Sequence, residues 1–166
     1  MVSSLSCRSR TLSRTSKKLK IVNENYLADF NSWIDQTAQL LRDRQWNKVD
    51  VEHLIEEIED LSKSERRAIA SQLTRLLLHL LKWQYQPQRR SDSWLDSITD
   101  ARTQIELVLE DSPSLRNYPV EQLPKSYQRS RRQASLQTKL KIAEFPEICP
   151  YVLEQILDED WLPKQD

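Results

Sequence analysis

Not one of the 166 residues is glycine. Glycine supplies the positive backbone angles that two-residue hairpin turns need, and the close backbone approach of phosphate-cradling loops. Its absence argues against a β-rich fold and against a glycine-loop nucleotide site. Leu, Gln, Glu, Arg and Lys are abundant and are good helix formers. The 25 basic and 25 acidic residues cancel, as charges do on a solvated helical surface. The chain therefore reads as all-α, long enough for one domain with a real core and short for two. The expected architecture is a single compact helical bundle of about five helices. No apolar run approaches the roughly 20 residues of a membrane span, so no membrane partner is expected.

The neutral net charge hides an asymmetry. Arg8, Arg10, Arg14, Lys17, Lys18 and Lys20 are followed by the first acid only after residue 20. Removing these six leaves 19 basic residues against 25 acids, a formal charge of −6 for the rest. The Ser- and Arg-rich start has no apolar stripe, so residues 1–22 are expected to be a disordered basic tail before an all-α domain over 23–166. Its composition also fits a basic arm or a transit peptide, while it lacks the apolar centre of a secretory signal. Cys7 and Cys149 are the only cysteines. With one of them in the tail, a disulfide framework is not expected, and a reducing, cytoplasmic compartment fits. The two histidines add little to the ligand supply for a tetrahedral zinc site, and no cofactor is expected.

Apolar spacing places the helices. Leu27, Phe30, Ile34, Ala38 and Leu41 predict a first helix from about Asn25 to Arg44, capped by Asn23 or Asn25. Asp50 caps a second, with Val51, Leu54, Ile55, Ile58 and Leu61 on one face. The apolar period continues through Ile69, Leu73, Leu76, Leu80 and Trp83, but Ser62-x-x-Glu65 is a capping-box pattern, so a break is expected between Leu61 and Ser64. The run Leu76–Leu81 is apolar nearly all round and should be the buried centre, with Leu77, Leu80 and Trp83 largely buried, ended by Pro87. Trp94, Ile98, Ala101, Ile105 and Val108 predict the next helix, stopped at Asp111-Ser112-Pro113-Ser114. A basic segment to about Leu140 has a thin apolar set and is expected on the surface. Pro150 suits the first position of a short last helix containing Ile156 and Leu157. Trp33, Trp46, Trp83, Trp94 and Trp161 are expected as core and rim anchors.

These residues, taken in order, resemble a known family. The segments WIDQTAQLLRDRQWNKVDVEHLIEEIEDLSKSERRAI, LLLHLLKWQYQPQRRSDSW, IELVLEDSPSLR and FPEICPYVLEQILDEDWLP are similar to the domain-of-unknown-function family numbered 29. The likeness covers about Tyr26 to Pro163. It implies a compact helical bundle in a bacterial, largely cyanobacterial, cytoplasmic setting, and it implies no reaction, cofactor or partner.

Three functions compete for the chemistry-bearing residues. Glu56 and Glu59 lie in an acidic helix with His53, Glu52, Glu57 and Asp60, where i,i+4 pairs share a face. With His79 from the apolar run, and Asp92, Asp96 and Asp100 as a second acidic row, they would make a metal-dependent hydrolase. As the solvated side of an amphipathic helix they would have no such role. Trp83, Arg89, Arg90 and Trp94 sit at the corner made by Pro87. That corner suits stacking and anion binding, and with Arg129, Arg131 and Arg132 it would make an RNA- or DNA-binding surface. It equally suits an intramolecular latch, Arg89 or Arg90 pairing with the acidic helix over packed tryptophans. Cys149, before Pro150, is at a place that can lower a thiol pKa. The leading expectation is a non-catalytic, cytoplasmic interaction module, binding a protein partner or itself, because no nucleophile and base stand in a recognisable pattern.

Overall fold

The computed structural model describes residues 26–164. The expected basic tail, residues 1–22, and the proposed caps Asn23 and Asn25 lie outside the described residues. The described chain is all-α, with no strand among the described residues. Its helices are α1 (Phe30–Arg42), α2 (Val51–Tyr85), α3 (Asp92–Asp111), α4 (Tyr118–Thr138) and α5 (Leu153–Leu157). Four short 3-10 turns, Trp46–Lys48, Pro87–Arg89, Pro113–Leu115 and Ile142–Glu144, do the work that glycine turns do elsewhere.

The chain divides into two compact units, one ending at Asp60 and the other starting at Leu61. The boundary falls inside α2, where the sequence predicts a helix break. There is no break: α2 runs unbroken for 35 residues. Ser62, Lys63 and Ser64 include neither proline nor glycine, so nothing interrupts the i→i−4 bonds, and the capping-box pattern stays inside a helix.

In the first unit, α1 starts later than its apolar pattern suggests. Residues 26–28 are helical too, and Asp29 caps the helix that starts at Phe30, its carboxylate accepting from Ser32 N at 3.0 Å. α1 ends in a Schellman turn. Gln45 N donates to Leu40 O at 2.9 Å and Arg44 N to Leu41 O at 3.1 Å, with Arg44 left-handed at φ 56°. Trp33 and Thr37 are the buried residues of α1. Tyr26 meets the Trp33 ring edge-on at 5.0 Å.

In the second unit, the last part of α2 is the core element. Leu73, Leu76, Leu77, Leu80 and Leu81 have no exposed surface, and Ile98, Ala101 and Ile105 of α3 pack with them. Trp83, expected in the core, is only half-buried. Cross-links fix the directions. Arg75 pairs with Asp100 and Glu65 with Ser112, so α3 runs antiparallel to α2. Ser126 Oγ reaches Ala70 O at 3.4 Å, Ser130 Oγ reaches Thr74 O at 2.7 Å and Gln86 Nε2 reaches Thr138 O at 3.0 Å, so α4 runs parallel to α2.

α4 is not the surface helix its thin apolar pattern suggests. Ser126, Ser130, Ala134 and Thr138 repeat every four residues and are all buried. They form a seam of small side chains that lets α4 lie close against α2. The hydroxyls that make the seam polar are satisfied by carbonyls of the helices themselves. The helix begins at Tyr118, with Pro119 in its first turn and Pro124 inside it.

After Lys139, left-handed at φ 64°, the chain folds back over this layer. Buried Phe145, Tyr151 and Ile156 join the core. Tyr127 donates its hydroxyl to Pro146 O at 2.8 Å. Arg102 of α3, 4% exposed, holds the last segment by donating to Ile156 O, Glu159 O and Trp161 O at 2.9, 3.0 and 2.7 Å. α5 begins three residues after Pro150, with Val152 as its cap, so the proline introduces the helix from outside it.

Candidate functional site

The two units differ in surface chemistry. In the first unit, the start of α2 carries two faces. The inner one meets Tyr26. The His53 ring lies 4.2 Å from the Tyr26 ring, and its Nδ1 is 2.7 Å from Asp50 Oδ2. Tyr26 donates its hydroxyl to Glu57 Oε1 at 2.6 Å, and that bond to a carboxylate pushes the phenol up to about 12. His53 is thus a packed, hydrogen-bonded residue, joined to the Asp50 that also accepts its backbone N–H at 3.4 Å.

The outer face is apolar. Val51, Ile55 and Ile58 point within about 60° of one another on the helix, at 3.6 residues per turn. They are 52%, 51% and 59% exposed. Glu52 and Glu59, both exposed, border this stripe on one side, and Glu56, also exposed, lies farther round the helix. Leu27, Phe30 and Ile34 add exposed apolar surface on the α1 side. Of the two predicted carboxylates, Glu59 therefore edges an apolar strip of the first unit and Glu56 lies beyond that edge, and Trp46 is exposed in the turn before it.

The other predicted residues belong to the second unit. His79 is half-buried, and burial, then Lys82, then Arg75, hold its imidazole down at about 4, so it is neutral at pH 7. Among the described residues, no group of three or more His, Cys, Asp or Glu side chains is placed to hold a metal ion. The corner after α2 is closed by local contacts. Arg90 lies over the Trp83 ring, 4.8 Å from its centroid, and its Nε donates to Trp83 O at 2.9 Å. Lys82 lies 4.4 Å from the centroid of Trp94 and bonds Gln137 at 3.2 Å, and burial lowers its pKa. Arg90 thus holds the corner to the end of α2, because the 3-10 turn Pro87–Arg89 brings residue 90 back over residue 83. Arg89 is exposed. Cys149 does not have an activated thiol, since burial raises its pKa.

The basic residues of α4 divide by face. Arg131 ties the folded-back segment, its Nε donating to Phe145 O at 3.0 Å and its Nη2 to Ile142 O at 3.1 Å. Arg132 is exposed. Arg129 borders an open groove of about 470 Å³ running along the seam between α2 and α4. Arg67, Ser71 and Arg75 border it from α2, and Gln133 joins Arg129 on α4. Sequence reasoning missed Arg67 and Arg75. Their signal was the i,i+4 spacing Arg67-Ser71-Arg75, which matches that of Arg129-Gln133.

Among the described residues, no helix is long and apolar enough to cross a membrane. No curated protein and no solved structure matches the chain. The family model Domain of unknown function DUF29 matches residues 25–162, which spans parts of both units and all of the described helices. On that match the chain belongs to the DUF29 family.

Proposed function

We propose that this chain is a non-catalytic, cytoplasmic protein-interaction module, and that its first unit docks a basic, amphipathic helix of a partner protein. The observation carrying this reading is the exposed stripe of Val51, Ile55 and Ile58 with Glu52 and Glu59 along one edge. Apolar anchors at i, i+4 and i+7 are the spacing by which one amphipathic helix meets another. Covering each such side chain fully is worth about 1.5–3 kcal/mol, so leaving three of them in water is a cost that a partner removes. The carboxylate border selects the partner's charge, favouring Lys and Arg beside its apolar face. A second copy packed antiparallel would set carboxylate against carboxylate, which weighs against that mode of self-association. The same acids and His79, read as a metal-dependent hydrolase, would need a ligand set that this face supplies from one side only.

The test uses the full chain and a labelled Leu/Lys helical peptide of about 18 residues, long enough to hold a helix once bound. Fluorescence anisotropy should show binding that weakens with salt. The double variant Ile55→Asp, Ile58→Asp should lose at least tenfold while melting as the parent does. Unchanged affinity in that variant overturns the docking face. A dimer in sedimentation that the variant dissolves replaces the partner by a second copy. Tight manganese binding abolished by Glu56→Gln replaces the module by a hydrolase.

A further inference from the structure

The groove on the second unit has the chemistry of an anion receptor. Arg67, Arg75 and Arg129 border it and no acidic residue does. Three other arginines of this unit are engaged elsewhere: Arg90, Arg102 and Arg131 each donate to backbone carbonyls. Arg75 is held on one side by Asp100, an exposed pair that positions the guanidinium without filling the groove. Among the described residues, neither Arg67 nor Arg129 pairs with a carboxylate. Two helices thus bring three permanently charged forks to one opening.

The packing beneath explains why they converge. The groove floor includes Ala70 and Thr74, the α2 side of the small-residue seam. Because Ser126 and Ser130 bond the carbonyls of those two residues, α4 lies near enough to face Arg129 and Gln133 toward Arg67 and Ser71 across the opening. Bulky residues at the seam would move the two rows apart.

We infer that this groove binds a small phosphate-bearing anion with at least two phosphate groups. Guanidinium forks match phosphate oxygens two at a time. Ser71 and Gln133 supply neutral hydrogen-bonding groups beside them. About 470 Å³ is ample for a diphosphate-sized ligand and lies within the ordinary range of small-molecule sites. No lining residue is aromatic, so the groove offers no platform for stacking a base.

The inference rests on the second unit alone and is independent of the docking stripe. Its test is calorimetric titration of the full chain with inorganic pyrophosphate at low salt, beside orthophosphate, citrate and a single-stranded RNA oligonucleotide. Pyrophosphate should bind at least tenfold more tightly than orthophosphate or citrate. The double variant Arg67→Ala, Arg129→Ala should lose at least tenfold, with an unchanged melt in the absence of ligand because both side chains are exposed. Arg→Lys at the same positions should restore only part of the affinity, since the fork is lost. Equal binding of all small anions, or an alanine variant within twofold of the parent, overturns the site. RNA binding tighter than pyrophosphate and lost in the same variant reassigns the groove to a nucleic-acid backbone and also overturns the small-ligand assignment.

Discussion

Replacing Arg102 by Met should loosen the whole C-terminal segment. The side chain is 4% exposed and its guanidinium supplies all three bonds that tie α3 to the carbonyls of Ile156, Glu159 and Trp161. Met keeps most of the apolar stem and removes every donor. Each hydrogen bond to a charged group is worth about 1.5–3 kcal/mol net, so the gross loss is roughly 4–9 kcal/mol. Two effects reduce it. Burial already disfavours the charged guanidinium, and its carbonyl partners can take up water when the segment peels away. A net cost of about 3 kcal/mol is expected, which for a chain of this size lowers the melting temperature by roughly 6–12 °C. Circular dichroism at 222 nm would read the melt, and hydrogen exchange should rise first over residues 153–163. Arg102→Lys should recover only a minor part, because one ammonium cannot span three carbonyls spread over residues 156–161. A melting shift below about 2 °C in Arg102→Met would show that Ile156 and its neighbours hold the segment by apolar contact alone.

Two further outcomes test the core of the second unit. Leu80→Ala removes a fully buried side chain at the centre of α2 and should cost on the order of 2–5 kcal/mol; a shift near zero in a chemical melt would mean that the site collapses without a cavity. His79, held at about 4 against the usual 6.5 chiefly by burial, should make stability depend on pH. Between those values the unfolded chain takes up a proton that the folded chain refuses, so the stability present above pH 6.5 declines as pH falls toward 4. His79→Gln should flatten that part of the profile, and parallel profiles for parent and variant would sink the assignment.

Apolar periodicity carried most of the fold. The spacing through Ile69, Leu73, Leu76 and Leu80 identified the buried helix, and Pro87 its end. It failed where the buried face is not apolar. α4 packs through Ser126, Ser130, Ala134 and Thr138, three of them hydroxyl residues that a hydropathy pattern scores as surface. Their fit depends on a partner carbonyl at the right height, which is tertiary information. The capping-box pattern at Ser62 misled for a related reason: a cap forms only if something else stops the preceding turn, and nothing there does. The candidate sites were legible by residue type and illegible by grouping. Arg90 was singled out, but its partner is the ring and carbonyl of Trp83, seven residues earlier. Arg67 and Arg129 are 62 positions apart in the sequence, and only the parallel packing of α2 and α4 sets them on one groove. Arg102 stood in an apolar stripe and passed unnoticed, since its three acceptors are backbone atoms that no sequence pattern marks.

The left-handed residues Arg44 and Lys139 say something about the denatured ensemble. A residue with a Cβ holds that conformation at a cost of roughly 1–2 kcal/mol, which a glycine would avoid. Yet every glycine adds freedom to the disordered chain, and ordering one costs about 0.5–1 kcal/mol more than ordering an alanine. At ordinary usage of about 7%, a chain of this length would hold roughly a dozen. This one holds none. Its unfolded state is therefore poorer in conformations by several kcal/mol of entropy, more than the strain at two turns takes back. Part of the stability of this small core thus lies outside the folded structure, in a denatured chain that has fewer states to lose and keeps a bias toward helix.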